Sequence, residues 1–412
     1  MRDALSSLTV RGRTFLAGGI TALVCALVLG QDSLARLGAL VILLPVASAY
    51  VLSRSRHRLV LRRTVEPQVV VAGEPALVRL VVTNEARTAT GTLLLEEVLP
   101  YALGARPRFV LNSIAGNWDQ HLTYPVRPEV RGRHAVGPLT IRVTDPFGLV
   151  ELGRTFQSTT PLVAVPRTIP LSVGLAAQTW AGSGHSRPRS FSVGHAEDVT
   201  VREYRQGDDM RRVHWPTSAR TEELMVRREE QPLQARAVLV LDNRAVAHGG
   251  RGLSSSFETA VVVAASIVTH LVARGHRVTL ASATGSLDTV LSGGTEPARD
   301  AAALLESLAD VELTSERALD LSWLRNTPTG TQVIAVLGGT TAADHRALAR
   351  LERHGRSPRA VVLDVGGWRH GALRPSEETD HDTVALLTAS GWRAGLLGRT
   401  DSLDRVWQQV AR

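Results

Sequence analysis

The chain has 412 residues, enough for two or three domains, and its 44% hydrophobic content is ordinary for a globular protein. All 47 basic residues are Arg, which excludes a Walker A phosphate loop, a Schiff-base Lys and a kinase-type active site. Its one Cys excludes intramolecular disulfides and Cys-rich zinc sites. Residues 1–63 contain nine Arg and two Asp, a net charge of +7, whereas the rest of the chain carries +1. Because this excess flanks apolar segments, we expect a membrane partner and no nucleic-acid binding.

Two uncharged apolar segments of 17 residues each, 14–30 and 37–53, open the chain and are separated by the short sequence QDSLAR. Each reaches the lower limit for crossing a hydrocarbon core of about 30 Å. A signal peptide is the alternative for the first segment, but a second span follows at once and the cleavage site is weak. Residues 1–58 are therefore predicted to form a helical hairpin that contacts the lipid bilayer through 14–53.

The Arg residues that flank these segments predict the orientation of the hairpin. The connection between the spans contains only Arg36, whereas three Arg precede the first span and five follow the second. The flanking residues are Arg2, Arg11, Arg13, Arg54, Arg56, Arg58, Arg62 and Arg63. Since Arg-rich flanks stay on the cytoplasmic side, we predict a cell-membrane protein with two spans whose N-terminus and C-terminal domains are both cytoplasmic.

Residues 59–165 show the two-residue period of β-strands. Short β-branched stretches alternate with Gly-Glu-Pro and Asn-Glu turn sequences, and about seven strands are predicted. Their number and spacing suggest an Ig-like β-sandwich. Within it, the sequence Asp145-Pro146-Phe147-Gly148 predicts a structural turn in which the aromatic ring is buried.

Residues 166–235 are predicted to be a linker followed by a dense polar motif. The linker is rich in Pro, Gly and Ser up to residue 200, and the sequence VREYRQGDDMRRVHWPTSAR then runs from Val201 to Arg220. Its Gly-Asp-Asp predicts a tight turn with an N-capping carboxylate. A short helix interrupted by Pro216 is expected next, and then an extended segment.

Residues 236–412 alternate between buried strands and amphipathic helices. AVLVLD, HRVTLASA, TQVIAVLG, RAVVLDV and WRAGLLG read as strands, with helical segments between them. One of these helices, PARDAAALLESLAD, is expected to have Thr295 as its N-cap. This alternation predicts an α/β doubly wound, Rossmannoid domain, in which ligands bind beyond the carboxyl ends of the strands.

Sequence motifs for common active sites are absent. The chain has no H-E-x-x-H, no G-x-S-x-G and no G-x-G-x-x-G after a strand, and its thirteen His residues lack ligand spacing. Asp380, His381 and Asp382 are adjacent, but neighbouring residues of a helix face different ways, so a helix start is the preferred interpretation.

Asp242 ends the first strand of the wound domain and is the best single candidate for a functional residue. In von Willebrand factor A (vWA) domains a D-x-S-x-S sequence at this place begins a site for Mg²⁺, which prefers oxygen ligands. Here Arg244 and Val246 replace both Ser, Thr295 matches the motif's Thr, and the later Asp is missing near Gly338. We therefore expect a degenerate site without a metal or cofactor, in which Arg244 pairs with Asp242 in place of the ion.

The motif at 201–220 admits three interpretations. Its Arg and acidic residues could pair with one another, which would make it a polar clamp between the linker and the wound domain. It could instead be a recognition surface for a protein partner. Catalysis would require His214 to act as a general base, oriented by Asp208 or Asp209 beside a substrate pocket.

The same stretch resembles the defining motif of domain-of-unknown-function family 58, approximately R-E-Y-x-x-G-D-D-x-R-x-I/V-x-W-x-x-S-A-R. The upstream sequences RGRHAVGPLTIRVTDPFGLV and VAVPR, and the two apolar N-terminal segments, are also similar to that family. The matching positions, with His214 among them as a further candidate, are Arg202, Glu203, Tyr204, Gly207, Asp208, Asp209, Arg212, His214, Trp215, Ser218, Ala219 and Arg220.

The resemblance implies a vWA-like domain and a role as a membrane-tethered partner of a MoxR-type AAA+ ATPase, often together with a transglutaminase-like membrane protein. We accordingly predict a non-catalytic membrane scaffold or adaptor. Two alternatives are a hydrolase that acts around His214 and Asp208/Asp209, and a structural protein of the cell envelope.

Overall fold

A computed structural model describes two compact units, Met1–Arg167 with Leu308–Asp310 and Thr168–Ser307 with Val311–Arg412, and each contains an apolar core. The residues described are 8–54, 59–87, 90, 92–112, 114–145, 147–172, 200–204, 210, 213–221, 223–228, 236–289, 297–341, 343–369 and 379–412.

The first unit opens with two long apolar helices, α1 (Val10–Leu29) and α2 (Asp32–Arg54). The Thr9 side chain caps α1 by accepting a hydrogen bond from the backbone N–H of Gly12, and Gly30 ends the helix at a φ of 66°. Both helices begin a few residues earlier than predicted. They are long and apolar enough to cross a membrane, with mean hydropathies of 1.8 and 1.6 over their most apolar windows.

Small residues let the two helices approach each other closely. A Cβ atom on Gly19 would lie 2.6 Å from Cγ1 of Ile42, and one on Gly38 would lie 3.0 Å from the carbonyl oxygen of Gly19. Close backbone contact at small residues is typical of packed membrane helices.

The β-rich part of this unit contains ten strands among the described residues of 59–165, not about seven. Strands of three to five residues are too short to show a clear alternation in the sequence. The bounds are β1 (Leu59–Glu66), β2 (Val69–Val71), β3 (Ala76–Asn84), β4 (Thr92–Glu97), β5 (Arg108–Leu111), β6 (Trp118–Val126), β7 (Gly132–Val136), β8 (Leu139–Thr144), β9 (Glu151–Phe156) and β10 (Thr160–Val165).

These strands form three sheets, ordered β1-β3-β6, β2-β10-β7 and β5-β4-β8-β9. Neighbours are antiparallel except for β2 and β10, which are parallel. Strand β3 buries every second residue, including Val78 and Leu80, and such alternation directs one face of each strand into a shared apolar core.

The turn at 145–148 differs from the prediction of a buried aromatic ring. The Asp145 carboxylate is buried and accepts backbone N–H bonds from Leu149 and Val150, each of 2.7 Å. Phe147, however, is 62% exposed, so its ring does not plug the turn as predicted. The carboxylate helps to organise this loop because it can accept several hydrogen bonds at once, and the N–H of Gly148 adds a bond to the Asp145 carbonyl.

Three short elements precede the wound sheet. Strands β11 (Thr200–Glu203) and β12 (Met225–Arg228) are antiparallel, and helix α3 (Trp215–Thr221) lies between them in the chain.

The second unit is built on a six-stranded sheet of order β15-β14-β13-β16-β17-β18, parallel except for β15 at one edge. The chain enters this sheet at the central strand β13 and adds β14 and β15 on one side of it. It then crosses to the other side and adds β16, β17 and β18, so the switch point lies between β13 and β16. From residue 236 onward the elements are, in chain order, β13 (Arg236–Leu241), α4 (Ser256–Ala273), β14 (Arg277–Ser282), β15 (Gly285–Thr289), α5 (Pro297–Asp310), β16 (Gln332–Leu337), α6 (Asp344–His354), β17 (Arg356–Leu363), α7 (Gly366–Arg369), α8 (Thr379–Ala389), β18 (Arg393–Leu397) and α9 (Leu403–Ala411).

Helix α4 is also apolar and long enough to span a membrane, but 67% of its window is buried by the protein, against 17% for α1 and 11% for α2. Its Ser255 N-cap accepts a hydrogen bond from the N–H of Glu258. Contacts with β13, β14 and β16 make α4 a core helix of the wound unit. The doubly wound α/β architecture predicted for this part of the chain is therefore observed.

Candidate functional site

The carboxyl ends of β13 and β16 meet at the switch point, where Asp242 directly follows β13. Its backbone N–H donates to the carbonyl of Val336 at 2.9 Å, which continues the sheet by one residue. The next residue, Asn243, donates from Nδ2 to the Glu312 carbonyl and accepts from the N–H of Ala283, at 2.8 and 3.0 Å. These bonds hold the chain rigidly where a wound domain would place its ligand site.

The Arg244 guanidinium fills the space beside Asp242. Its Nε donates to Oδ1 of Asp242 at 2.9 Å and its Nη2 donates to Oδ2 at 2.8 Å, which makes a two-point ion pair. Its Nη1 donates to Oδ1 of Asp344 at 2.5 Å and to the Arg317 carbonyl at 2.9 Å. The expected contact between Arg244 and Asp242 is thus present, together with a second carboxylate.

Burial and charge act on the guanidinium in opposite directions. Burial lowers the pKa of Arg244, but the hydrogen bonds and charges of Asp242 and Asp344 outweigh it, so the pKa lies above its ordinary value. The three side chains are at most 3% exposed. Arg244 therefore carries a permanent positive charge inside the domain.

Sequence reasoning missed Asp344, which is the first residue of α6. Its Oδ2 accepts hydrogen bonds from the N–H and the hydroxyl of Thr341, at 2.8 and 3.0 Å. An acidic residue was sought near Gly338, directly after β16, whereas the one that reaches the site comes six residues later. Its place in the first helical turn after a strand end was the available clue.

His248 supports the loop that carries Arg244. Its Nε2 lies 2.7 Å from the Asp242 carbonyl oxygen, and its Nδ1 lies 3.0 Å from the Ser256 hydroxyl. Since a carbonyl can only accept, Nε2 carries the proton. Both ring nitrogens are occupied by structural contacts, so the ring is a satisfied core histidine.

The donor set does not fit a divalent cation. Both oxygens of Asp242 and one oxygen of Asp344 are bonded to the guanidinium, which stands where a cation would need them. No group of three or more His, Cys, Asp or Glu positioned for a metal occurs within the described residues. Thr295, the third member of the predicted degenerate site, lies outside them.

Within the described residues, the motif at 201–220 spans most of β11 and of α3, and β12 follows it. The N–H of Tyr204 donates to the Leu224 carbonyl and the N–H of His214 donates to the Met225 carbonyl, each at 2.8 Å. The Ser218 hydroxyl accepts from the N–H of Met225 at 2.8 Å and donates to the His214 carbonyl at 3.1 Å. Ser218 thereby fastens α3 to β12.

The helix in this motif differs from the prediction. It was expected before Pro216 and broken by it, but α3 begins at Trp215, so Pro216 lies in its first turn. A proline is tolerated there because N–H groups of the first turn have no partner within the helix.

Only some of the remaining candidate residues of the motif have described side chains. His214 contacts the Thr217 hydroxyl through Nδ1 at 2.8 Å, and Arg220 is exposed in the last turn of α3. Arg202 and Glu203 lie in β11, where only the backbone is described. The other candidates lie outside the described residues: Gly207, Asp208, Asp209 and Arg212.

Large apolar side chains of this motif face outward. Trp215 is 63% exposed, Met210 is 52% exposed and Leu224 is 41% exposed. Backbone bonds join the segments that carry them: the N–H of Val213 donates to the Met210 carbonyl, and the N–H of His214, just before α3, donates to the carbonyl of Met225, the residue after Leu224. We call Met210, Trp215 and Leu224 the outer apolar surface of the motif.

Solved structures resemble parts of the chain only distantly. The CARDB domain of the PF1109 protein from Pyrococcus furiosus is 17% identical, with 27% of this chain and 96% of that chain covered and a TM-score of 0.21. A complex of zinc 2-glycoprotein with prolactin inducible protein from human seminal plasma is 9% identical, with 27% and 97% covered and a TM-score of 0.22.

Sequence comparison is more informative about the second unit. No curated protein matches the chain. The resemblance to a known family is nevertheless confirmed for the stretch that begins at β11 and ends within α6: residues 200–353 match the family described as Protein of unknown function DUF58.

Proposed function

We propose that the protein is a membrane-anchored, non-catalytic scaffold or adaptor that binds a partner protein through its second unit. The observation that carries this proposal is the Arg244 guanidinium, buried between Asp242 and Asp344 at the switch point of the wound sheet. Ligands of such sheets bind at this place. In this chain the Arg244 guanidinium occupies that place, and the site resembles a vWA-like metal site in which a guanidinium replaces the metal ion.

Calorimetry tests this interpretation of the switch point. Mg²⁺ or Mn²⁺ added to the full-length protein is expected to give no binding heat attributable to Asp242. Tight binding that disappears in Asp242→Asn would contradict the internal-cation interpretation.

The two N-terminal helices supply the anchor. At about 1.5 Å per residue, the 20 residues of α1 span about 30 Å, the thickness of a hydrocarbon core. The Arg residues on the outer flanks of α1 and α2 favour a cytoplasmic location for everything after α2.

The outer apolar surface of the motif is the proposed docking site. Exposed aromatic and Met side chains are typical of the centres of protein interfaces, and Trp is among the residues that contribute most to binding. These three residues lie inside the segment that matches the DUF58 family.

The similarity to family 58 proteins points to a MoxR-type AAA+ ATPase as the partner, with a transglutaminase-like membrane protein as a further component. An ATPase partner fits a chain without a Walker A loop, because the energy must then come from another protein. The excess of Arg lies beside the two apolar helices, which favours contact of these Arg residues with lipid headgroups and not with nucleic acid.

The decisive test is affinity purification of the tagged full-length protein from detergent-solubilised membranes, with mass spectrometry of the bound proteins. An AAA+ ATPase of the MoxR type is expected. Trp215→Ala should weaken its capture by an order of magnitude or more, since interface Trp residues contribute about 2 kcal/mol or more.

Trp118 provides a matched control, because it is also 63% exposed but lies in the β-rich part of the first unit. Trp118→Ala should leave the recovery of the ATPase unchanged. Repeated purifications without an ATPase, or equal losses in both variants, would contradict the proposal.

A further inference from the structure

Two exposed aromatic rings lie at the end of the β-rich part that joins the apolar helices. Trp118 is 63% exposed and Phe147 is 62% exposed. Neither ring belongs to the outer apolar surface of the motif or to the switch point of the wound sheet. Their position relative to the helices indicates what they contact.

Phe147 lies in the turn between β8 and β9, and this turn is bonded to the start of α1. The Thr9 hydroxyl donates to the Gly148 carbonyl at 2.7 Å, and the N–H of Thr9 donates to the Leu149 carbonyl at 3.0 Å. Thr9 is the N-cap of α1, so the helix begins at the next residue. The ring is therefore carried by a turn that contacts the first residues of the helix.

Trp118 lies at the same end, as the register of the first sheet shows. Leu59 begins β1, the first strand after α2, and it pairs with Asn84. Asn84 pairs in turn with Trp118, the first residue of β6. Neighbouring strands are about 4.8 Å apart, so Trp118 lies about 10 Å across the sheet from the start of β1. Both rings are thus on the helix side of the β-rich part.

The length of α1 sets the depth of this end in a bilayer. Its 20 residues span about 30 Å, the thickness of the hydrocarbon core, so a helix that crosses the core has its first residue at the boundary. Leu16 of α1 and Leu44 of α2 pack against the apolar core of the β-rich part, which therefore follows the helices up to this boundary. The turn that carries Phe147 then lies at the level of the lipid headgroups.

An exposed arginine accompanies each ring. Nη1 of Arg11 would lie 3.7 Å from a Cβ atom on Gly148, the residue after Phe147. Near the start of β6, a Cβ atom on Gly116 would collide with the Arg87 carbonyl, so the loop that carries Arg87 touches the loop before this strand. Guanidiniums bind phosphate oxygens, and the cytoplasmic leaflet is anionic. Aromatic rings are enriched at the boundary between membrane and water.

We propose that Trp118, Phe147, Arg11 and Arg87 form a lipid-contacting rim, which holds the β-rich part in the headgroup layer of the bilayer that α1 and α2 cross. This inference rests on the membrane anchoring proposed above and adds a second lipid contact outside the two spans. The rings enter the interface, and the guanidiniums bind lipid phosphates. The rim thereby fixes the height of the β-rich part above the membrane.

Tyr101 provides a matched control at the opposite end of the β-rich part. Strand β4 begins at Thr92, which pairs with Thr144 just before the turn at 145–148, and Tyr101 follows the other end of β4. The six residues of this strand separate the two ends by about 20 Å. The Tyr101 side chain is exposed as well, so a label attached there projects into the surroundings of the protein.

The experiment measures the depth of a fluorescent label in proteoliposomes of phosphatidylcholine and phosphatidylglycerol. Trp118→Cys, Phe147→Cys and Tyr101→Cys are made separately in full-length Cys25→Ser protein and labelled with an environment-sensitive maleimide. Labels at 118 and 147 should emit at shorter wavelength than the label at 101, because they lie in the interface. A lipid with a spin label on its headgroup should quench the labels at 118 and 147 and leave the label at 101 unquenched.

A second measurement keeps the label away from both rings and tests what the rings contribute. Asn112 is exposed and follows Leu111, which pairs with Leu93 near the start of β4, so it lies at the same end. A label on Asn112→Cys should be quenched in these liposomes. Combined replacement of both rings by Ala should reduce this quenching, because the rings hold the rim in the interface. Tyr101→Ala should leave it unchanged.

Flotation of the proteoliposomes on a density gradient separates this proposal from the anchor itself. Protein that does not float with lipid would overturn the anchor and the rim together. If the protein floats, labels at 118 and 147 that behave like the label at 101 would overturn the rim alone. Quenching at 112 that is indifferent to the rings would do the same. Capture of the ATPase is measured in detergent without a bilayer, so Trp118 remains a valid control in that experiment.

Discussion

A guanidinium that is removed from water is stable only where other acceptors replace its hydration. Arg244 satisfies this condition, since its Nε, Nη1 and Nη2 all donate to carboxylate oxygens. Two carboxylates and one guanidinium leave a formal charge of −1. Backbone N–H groups of Arg244 and Thr341 offset part of it by donating to the two carboxylates, at 3.1 and 2.8 Å.

Arg244→Ala is therefore expected to lower the free energy of unfolding by about 3–5 kcal/mol, because Asp242 and Asp344 remain buried without their cation. Denaturant unfolding of the full-length protein in detergent measures this change. Arg346→Ala is the control, since Arg346 is exposed on α6, the helix that carries Asp344. A loss as small as that of the control would show that the ion pairs stabilise little.

At the residue scale, the sequence predicts local contacts better than distant ones. Asp242 and Arg244 are two residues apart, so their pairing follows from their spacing at a strand end. The contact with Asp344 joins residues 100 positions apart and depends on how α6 follows β16. The exposure of Phe147 was also missed, because a turn sequence does not reveal which side of the loop faces the core.

Strand β4 shows how one element can give neighbouring acids opposite properties. Consecutive residues of a strand face opposite sides, so Glu97 points into the core while Glu96 lies on the outer face. Burial raises the pKa of Glu97 although Arg63 lies 2.6 Å away and opposes the shift. The hydrogen bond from Arg108 lowers the pKa of Glu96.

These shifts predict opposite pH dependences. The folded protein holds a proton on Glu97 more tightly than the unfolded chain does. The contribution of Glu97 to the free energy of unfolding is therefore lost as pH rises from the ordinary glutamate pKa, about 4, through the raised pKa of the folded state. For Glu96 the folded state favours the charged form, so its contribution is lost as pH falls through the lowered pKa. Relative to wild type, Glu97→Gln should remove the first dependence and Glu96→Gln the second.

Denaturant unfolding at a series of pH values, with wild type and both variants side by side, measures the difference. The wild-type free energy of unfolding minus that of Glu97→Gln should fall by up to about 1.4 kcal/mol per pH unit within the window. If this difference stays level or rises with pH, burial does not control the Glu97 carboxyl.

Elements are predicted well where their periodic pattern is long. Strands β13 and β16 are continuous apolar segments, and α4 has 18 residues, so the alternation of the wound unit is readable in the sequence. The short strands of the first unit are not readable one by one. The sequence does not predict the position of α3, because Pro216 can either break a helix or occupy its first turn, and here it occupies the first turn.

At the scale of the whole molecule, the apolar N-terminal helices set the location proposed for the protein. They are apolar and mostly unburied by the rest of the chain, whereas the similarly apolar α4 is enclosed by its own unit. Composition alone does not separate these two cases. Position in the alternating pattern separates them, because α4 lies between two parallel strands.

The proposed orientation is tested by labelling single cysteines in intact cells with a membrane-impermeant maleimide. The native cysteine is first removed by Cys25→Ser. Gln31→Cys, between α1 and α2, should then be labelled from outside, whereas Gln157→Cys, in the loop between β9 and β10, should be labelled only after lysis. The reverse result would place the large units outside the cell.

The junction between α1 and the β-rich part has a mechanical consequence. Leu8 forms a β-bridge with Val150, and the N–H of Thr9 donates to the Leu149 carbonyl at 3.0 Å, one residue before α1 begins. Only Thr9, the N-cap residue, separates the bridged Leu8 from the first residue of α1. With α1 in a bilayer, the β-rich part is clamped at the headgroup level, where the exposed Phe147 ring is suited to the interface. The β-rich part is then expected to move together with the first turn of α1, because these backbone contacts join the two directly.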